Sequence, residues 1–241
     1  GYSGGFTKYC RIPGEILAIH KRAIWEIPEG LEYEEAAVMD PICNAYKAIA
    51  QRSGLLPGEN VVIFGTGPLG LFSVQIAKIM GALNIVVVGL EEDVKVRFGV
   101  ARQLGATEVV NGSAEDVVKR CQEICGGSDS IGLVVDCAGA NICLKQAIEM
   151  VRCNGEIVRV GMGFKPVGFS INDISMKAVS IIGHMAYDAT SWRNSLQLLA
   201  AGRIQVKPMI THRLGLSRWE EGFEAMADKE AIKVILTYDF D

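Results

Sequence analysis

Six residues, Gly65-Thr66-Gly67-Pro68-Leu69-Gly70, constrain this chain more than any others. They read G-x-G-x-x-G and stand directly between an apolar run, Val61-Val62-Ile63-Phe64, and a helical stripe of Leu69, Phe72, Ile76 and Met80 closed by Gly81. A strand before and a helix after is the context the motif requires to receive a dinucleotide. Gly65 permits the tight turn, Gly67 lets backbone approach a pyrophosphate, and Gly70 lets helix and strand pack closely. Pro68 falls in the first helical turn, where a missing N–H costs little. The helix start then offers free N–H groups and partial positive charge to phosphates.

The pattern around the loop repeats. Ile85 to Val88, Thr107 to Val110, Ile131 to Val135, Ile157 to Val160 and Val179 to Ile182 read as further buried strands. Helices are expected over about 94–104, 114–125 and 141–152, the second opened by Ser113 as N-cap with Asp116 as the acid at its third position. Near-continuous Val/Ile runs alternating with helices mean parallel strands covered on both faces. The fold class is α/β, a doubly wound parallel six-stranded sheet, expected over residues 46–186. Residues 1–45 read as two strands and then a helix beginning near Glu34, and residues 187–241 as helix, strand, helix, strand. Neither flank closes a core alone, so together they read as two pieces of one incomplete second domain.

Composition narrows the function classes. A net charge of −4, with 22% charged and 49% hydrophobic residues, argues against disorder and leaves no basic footprint for nucleic acid. No apolar run reaches the roughly 18 residues of a membrane span, and no signal peptide is read. Seven cysteines, an odd number with no C-x-x-C pair, point away from disulfides and from a self-contained zinc site. Cys121 and Cys125, i and i+4, could support two metal ligands; small apolar packing residues in a reducing, cytoplasmic setting is the simpler reading. The chain opens at Gly1 without an initiator methionine, as a processed start or a truncated chain would.

The second strand should carry, about 20 residues past the loop, an acid for the adenosine ribose. Its tip is Gly89 instead, followed by Leu90-Glu91-Glu92-Asp93. Acids there would repel a 2′-phosphate, with Lys95 and Arg97 offsetting some of the charge. NAD is therefore expected over NADP, without excluding NADP; alternatively Glu91 to Asp93 are a solvated loop opening a helix.

Several stretches together resemble one family. They are Gly4-Gly5-Phe6-Thr7-Lys8-Tyr9, Glu35 to Pro41, the 65–70 loop, Leu104-Gly105-Ala106, Val134 to Gly139, Gly155 to Gly161 and Lys207 to His212. In order and content the chain resembles the zinc-dependent medium-chain dehydrogenases/reductases, in the sorbitol (polyol) and threonine dehydrogenase branch, from residue 4 to about 237. The resemblance implies a Rossmann domain and, for residues 1–45 and 187–241, parts of a GroES-like catalytic domain. The family's Cys zinc ligand, His-Glu pair and four-cysteine lobe are not in this sequence, which implies about a hundred residues upstream of Gly1.

Residue by residue, the resemblance sets Asp40 where polyol dehydrogenases hold a Glu at the catalytic zinc. A role on or beside the metal stands against a capping or buried acid before Pro41. Asn44 falls near the nicotinamide and Tyr187 on the substrate side, although Ala186 replaces an arginine usual beside it. Cofactor contacts are implied for Leu69, Arg97, Ala138, Gly139, Val160, Gly161, Met162, His184 and Met185. Lys233 falls on the pyrophosphate, unless it is an ordinary surface lysine. His20 and His212 have no partner ligand at metal spacing and read as surface or structural. The implied activity is hydride transfer between a secondary alcohol, a polyol or similar small molecule, and NAD(P), with zinc as Lewis acid in the intact protein. A homodimer or homotetramer is implied through the sheet edge near 178–188. The rival readings are a dinucleotide-binding fragment without catalysis and a zinc-free quinone-type reductase.

Overall fold

The computed structural model describes residues 4–20 and 22–240. Two compact units are present, one of Met39–Gln205 and one made of the described residues up to Val38 and from Val206 onward. Ahead of the sheet come α1 (Gly14–Ile19), α2 (Tyr33–Ala36) and α3 (Met39–Tyr46), the last running into a π-helical turn over Lys47–Arg52.

The larger unit then alternates strictly: β1 (Asn60–Phe64), α4 (Pro68–Ile79), β2 (Ile85–Gly89), α5 (Arg97–Leu104), β3 (Glu108–Asn111), α6 (Val117–Cys125), β4 (Ile131–Asp136), α7 (Asn141–Met150), β5 (Glu156–Arg159), α8 (Ile171–Ser175) and β6 (Ser180–Gly183). All six strands pair in parallel in the order β3-β2-β1-β4-β5-β6. That is the doubly wound sheet the sequence pattern predicts. After β3 the chain crosses back to lay β4 on the far side of β1, so a crevice opens at the C-terminal ends of β1 and β4.

Both faces of the sheet are covered, which is why its strands are unbroken Val/Ile runs instead of alternating ones. Val62, Phe64, Val86, Val88, Val110, Val134 and Ile157 share one core cluster with Val117 and Cys121 of α6 and Leu144, Ala147 and Ile148 of α7. Successive residues on a strand point to opposite faces. Val61, Ile63, Val87 and Leu133, equally buried, therefore take the other face, where α4 packs on β1 and β2 and α3 packs on α4. α9 (Ala189–Ala200) packs on α3. Because α3 and α9 join this packing, the larger unit extends from 39 to 205, beyond the 46–186 span drawn from strand patterns.

The smaller unit carries β7 (Ile210–Gly215), α10 (Trp219–Ala227) and β8 (Lys233–Thr237), with β7 and β8 parallel. Glu32 and Glu34 of this unit pair with Lys207 and Arg213 at 2.6 and 2.8 Å. The helix–strand–helix–strand reading of the C-terminal flank holds. The N-terminal flank is different: among the described residues up to 45 there is no strand. Tyr9, Ile19 and Tyr33 there are exposed, so the apolar residues that suggested strands have no sheet face to line. The helix expected near Glu34 is split into α2, opened by the Glu32 amide donating to the Glu35 carboxylate (3.1 Å), and α3.

A second correction concerns α6. Asp116, not Ser113, is its N-cap: its carboxylate accepts the Lys119 amide at 3.1 Å and the helix begins at Val117. Ser113 is drawn aside by the tip of β2, its hydroxyl accepting the Glu91 amide at 3.1 Å.

Two stability outcomes follow from this packing. Asp116→Ala should cost about 1 kcal/mol in denaturant unfolding, whereas Ser113→Ala leaves α6 capped. Leu133→Ala, at a position 1% exposed in the sheet centre, should cost about 2–5 kcal/mol by the same measurement.

Candidate functional site

The β1–α4 turn is built for close approach. At its start the Gly65 amide donates to the Val88 carbonyl (2.8 Å), and the Phe64 carbonyl accepts the Cys137 amide (2.9 Å), fastening β1 to both neighbours. Gly65 sits at φ +101°, a left-handed conformation that favours glycine. A methyl on Gly70 would overlap the Gly65 carbonyl oxygen, so α4 can start this near the strand only with glycine there. Gly67 is the N-cap, Pro68 is the first helical residue and Leu69 follows half-buried, with no side chain capping the helix. The first amides of α4 are thus unspent. The space where a Gly67 side chain would stand is open to 4 Å. An open cradle, uncapped amides and a helix N-terminus fit a dinucleotide pyrophosphate.

At the tip of β2, Phe98, Thr66 and Asp93 crowd the position a Gly89 side chain would take. Of the acids that follow, Asp93 is buried: its carboxylate accepts the Leu90 amide (2.8 Å) and pairs with Arg97 (3.3 Å). Arg97 is buried too, so its charge is engaged inside the protein. Glu91 is exposed and accepts from the Asn111 side-chain amide at 2.5 Å. Asn111 and Ser113, which flank Gly112 beyond β3, are partners the sequence reading missed. They lie 20 and 22 residues past Glu91 and only strand pairing unites them.

The ends of β4 and β5 meet beside the glycine turn. Ala138 and Gly139 donate their amides to the buried Asp136 carboxylate at 3.0 and 2.8 Å. Burial raises the Asp136 carboxyl, and the Gly139 amide, Arg159 and the Ala138 amide oppose that shift. Burial also pushes the Cys137 thiol up to about 12, so it stays protonated. Val160 and Gly161 are half-buried next to Asp136, and Met162 is exposed.

A second cluster gathers at α3 and the chain after β6. Asp40 lies in the first turn of α3, followed at once by Pro41. The Asn44 side-chain amide donates to the Asp40 carbonyl (3.0 Å) and faces its carboxylate (3.5 Å). Both can only accept, so the Asn44 oxygen must face His184 Nε2, 3.0 Å away. Nε2 therefore carries the ring proton and Nδ1 is an acceptor, buried without a partner among the described residues. Burial, with Lys47 and Arg52 nearby, lowers the His184 pKa and keeps the ring neutral. The Tyr187 ring lies tilted on Trp192 with centroids 5.5 Å apart; burial and then the nearby charge of Asp40 raise its phenol. Met185 is exposed, and its carbonyl accepts from Lys47 at 3.5 Å.

The larger unit thus brings Asp40, Asn44, His184 and Tyr187 into one cluster and the glycine turn, Ala138, Gly139 and Gly161 into another. Lys233 is in the smaller unit, where it opens β8 opposite Ile210 and lines an apolar groove with Trp219 and Phe223. For a metal the residues do not suffice: among the described residues no three His, Cys, Asp or Glu side chains converge. Cys121 and Cys125 belong to the core cluster. Asp40 is a single oxygen donor whose contacts are an amide and a phenol.

A family model for zinc-binding dehydrogenases matches residues 68–201. An uncharacterised zinc-type alcohol dehydrogenase-like protein of Escherichia coli K12, YdjL, is 72% identical over 240 residues, covering all of this chain and 67% of the relative. A sorbitol dehydrogenase of Halalkalibacterium halodurans is 29% identical, covering 97% of this chain and 65% of the relative. The crystal structure of 2R,3R-butanediol dehydrogenase from Bacillus subtilis superposes with a TM-score of 0.81 at 28% identity, covering 89% of this chain and 60% of that one. The chain spans about two thirds or less of the length of these relatives. With over half its residues inside the family model and such identity to a zinc-type relative, the chain belongs to the zinc-binding dehydrogenases, a family of the medium-chain dehydrogenases/reductases.

Proposed function

We propose that the larger unit binds NAD and serves an oxidoreductase that interconverts a secondary alcohol, a polyol or similar hydroxylated small molecule, and its ketone. The observation that carries this reading is the uncapped start of α4, set by Gly65 and Gly70 at the crevice between β1 and β4. Strand C-termini are where a doubly wound sheet places its ligand. When bound, the dinucleotide supplies the hydride acceptor for alcohol oxidation.

The roles of the chain's own residues follow the geometry. The α4 amides hold the pyrophosphate, and Leu69 and Pro68 wall it. Ala138, Gly139, Val160, Gly161 and Met162 border the crevice beyond β4 and β5. Asn44 orients the His184 ring, and burial with Lys47 and Arg52 nearby keeps it neutral, which keeps a positive charge away from a nicotinamide that is itself cationic when oxidised. Exposed Glu91 is set to accept ribose hydroxyls and to repel a 2′-phosphate, while Arg97 is engaged by Asp93. Tyr187 and Asp40, close neighbours, form the alcohol side. Lys233 is assigned to the pyrophosphate on the resemblance alone.

Zinc, which the family name implies, is not supported by three ligands among the described residues, so no step is assigned to it; Asp40 is the oxygen donor that the resemblance places beside it. That observation favours a second reading, dinucleotide binding by this chain without turnover. A homodimer or homotetramer would use the free edge of β6, where Ser180, Ile181 and Gly183 are exposed. No described helix is long and apolar enough to cross a membrane, and the proposed setting is cytoplasmic.

Titration of the chain with NAD and NADP, followed by protein fluorescence, tests the reading. NAD should bind more tightly, and Glu91→Gln should narrow the difference by roughly fivefold, the worth of an exposed charge contact of about 1 kcal/mol. A methyl on Gly67 meets no atom within 4 Å beyond its chain neighbours; Gly67→Ala should therefore leave Tm unchanged and weaken NAD about tenfold by filling the phosphate's place. Absence of NAD binding by the unsubstituted chain would defeat the reading. Binding with sorbitol-dependent turnover supports the enzyme, and binding without turnover or stoichiometric zinc supports the second reading.

A further inference from the structure

β4 and β5 both end in charged residues, Asp136 and Arg159, which stand opposite one another in the sheet register. The Asp136 side chain is fully buried and that of Arg159 is 18% exposed. One oxygen of Asp136 accepts the Ala138 and Gly139 amides. The other accepts Arg159 Nη1 at 2.7 Å. The second arm of the guanidinium, Nη2, donates to the Gly139 carbonyl at 2.8 Å. The backbone is tied in as well: the Asp136 carbonyl accepts the Val160 and Gly161 amides (2.9 and 2.7 Å), and the Arg159 carbonyl accepts the His184 amide (3.1 Å).

These bonds hold loops that touch backbone to backbone. Gly139, at φ +74°, lies so near residues 161–162 that a methyl on it would stand 2.5 Å from the Met162 carbonyl oxygen. A methyl on Gly161 would overlap the Gly139 amide, and one on Gly65 would stand 3.3 Å from the Ala138 amide. The turn after β1 therefore rests on the loop after β4, and that loop rests on the one after β5. The guanidinium spans this stack with two separate jobs: one arm neutralises a buried carboxylate, the other fixes a carbonyl. A planar fork can do both at once, whereas an ammonium is a point charge.

We infer that Arg159 is a positioning residue for dinucleotide binding, its Gly139 bond holding the 137–139 loop against the glycine turn that receives the cofactor. This rests on the dinucleotide reading above. It predicts a residue that touches no ligand and still sets affinity.

Arg159→Lys separates the two jobs, since lysine can answer the Asp136 charge and lose the Gly139 bond. NAD affinity measured by calorimetric titration should fall on the order of tenfold, the worth of one charge-assisted hydrogen bond. The Gly139 and Gly161 amides should lose hydrogen-exchange protection, while the amides of β2 and β3 keep theirs. Should Arg159→Lys fail to fold, D136N/R159Q, which buries no charge, carries the same two measurements. A purely structural role would lower Tm and leave the Kd of the folded protein within about twofold. That result, with or without a change in exchange, overturns the inference. Weaker binding with unchanged exchange at Gly139 and Gly161 overturns it too. If the unsubstituted chain binds no NAD, the dinucleotide reading fails and this inference with it, whereas NAD binding that Arg159→Lys leaves intact sinks the inference alone.

Discussion

The close approach of Gly70 to the Gly65 carbonyl is the contact on which the larger unit depends. It lets α4 begin directly over the end of β1, and α4 in turn is the floor on which α3 packs. Any side chain at Gly70 would lift the helix off the strand, lengthen the turn and move the helix amides away from the crevice. The same contact therefore serves the core and the ligand. Burial of apolar strand faces supplies the driving force, but it acts without direction. The glycine pair gives it geometry, converting a generic two-faced core into one with an anion-receiving end.

Charge is distributed with the same economy. The polar groups nearest the crevice are mostly satisfied by the protein: Asp93 by Arg97 and the Leu90 amide, Asp136 by Arg159 and two amides, the Asn44 amide by Asp40 and His184. Buried carboxylates are tolerable only when their lone pairs are filled in this way. Glu91, steadied by Asn111, and Glu92 remain exposed at the tip of β2, and this leaves the region acidic. At the other end of the crevice His184 is held uncharged by its burial and by Lys47 and Arg52 nearby. The crevice thus runs from a negative edge, past helix amides, to a cluster of Asp40, a neutral imidazole and aromatic rings.

Much of this architecture is legible in the sequence, for identifiable reasons. Unbroken runs such as Val61 to Phe64 admit few states besides a strand buried on both faces, and the 65–70 spacing fixes where the helix starts. The misread parts lack such internal constraint. Residues 4–45 carry scattered apolar side chains whose expected strand pairing would depend on neighbours that local pattern does not specify. Ser113 and Asp116 are both good caps, and the choice between them is made by Glu91, a residue 22 positions earlier. At the site, residue types on strand tips can be named from order alone. The partners that give them chemistry, Asn111 for Glu91 and Asn44 for His184, are brought in by tertiary packing that spacing does not encode.

The loops after β1, β4 and β5 meet through main-chain atoms, with glycines where side chains would collide. Apart from the Asp136–Arg159 pair, a joint of this kind has almost no side-chain vocabulary, and its spacing is set by peptide dimensions. The cluster around Asp40, Tyr187 and Trp192 is the opposite, made almost entirely of replaceable side chains. The two halves of the crevice are therefore separable in design. On the proposed reading, changes to what the alcohol side recognises can accumulate around α3 and the segment after β6 while the proposed cofactor cradle keeps its shape, so a redesign for a new substrate has its freedom at one end of the crevice and its rigid datum at the other.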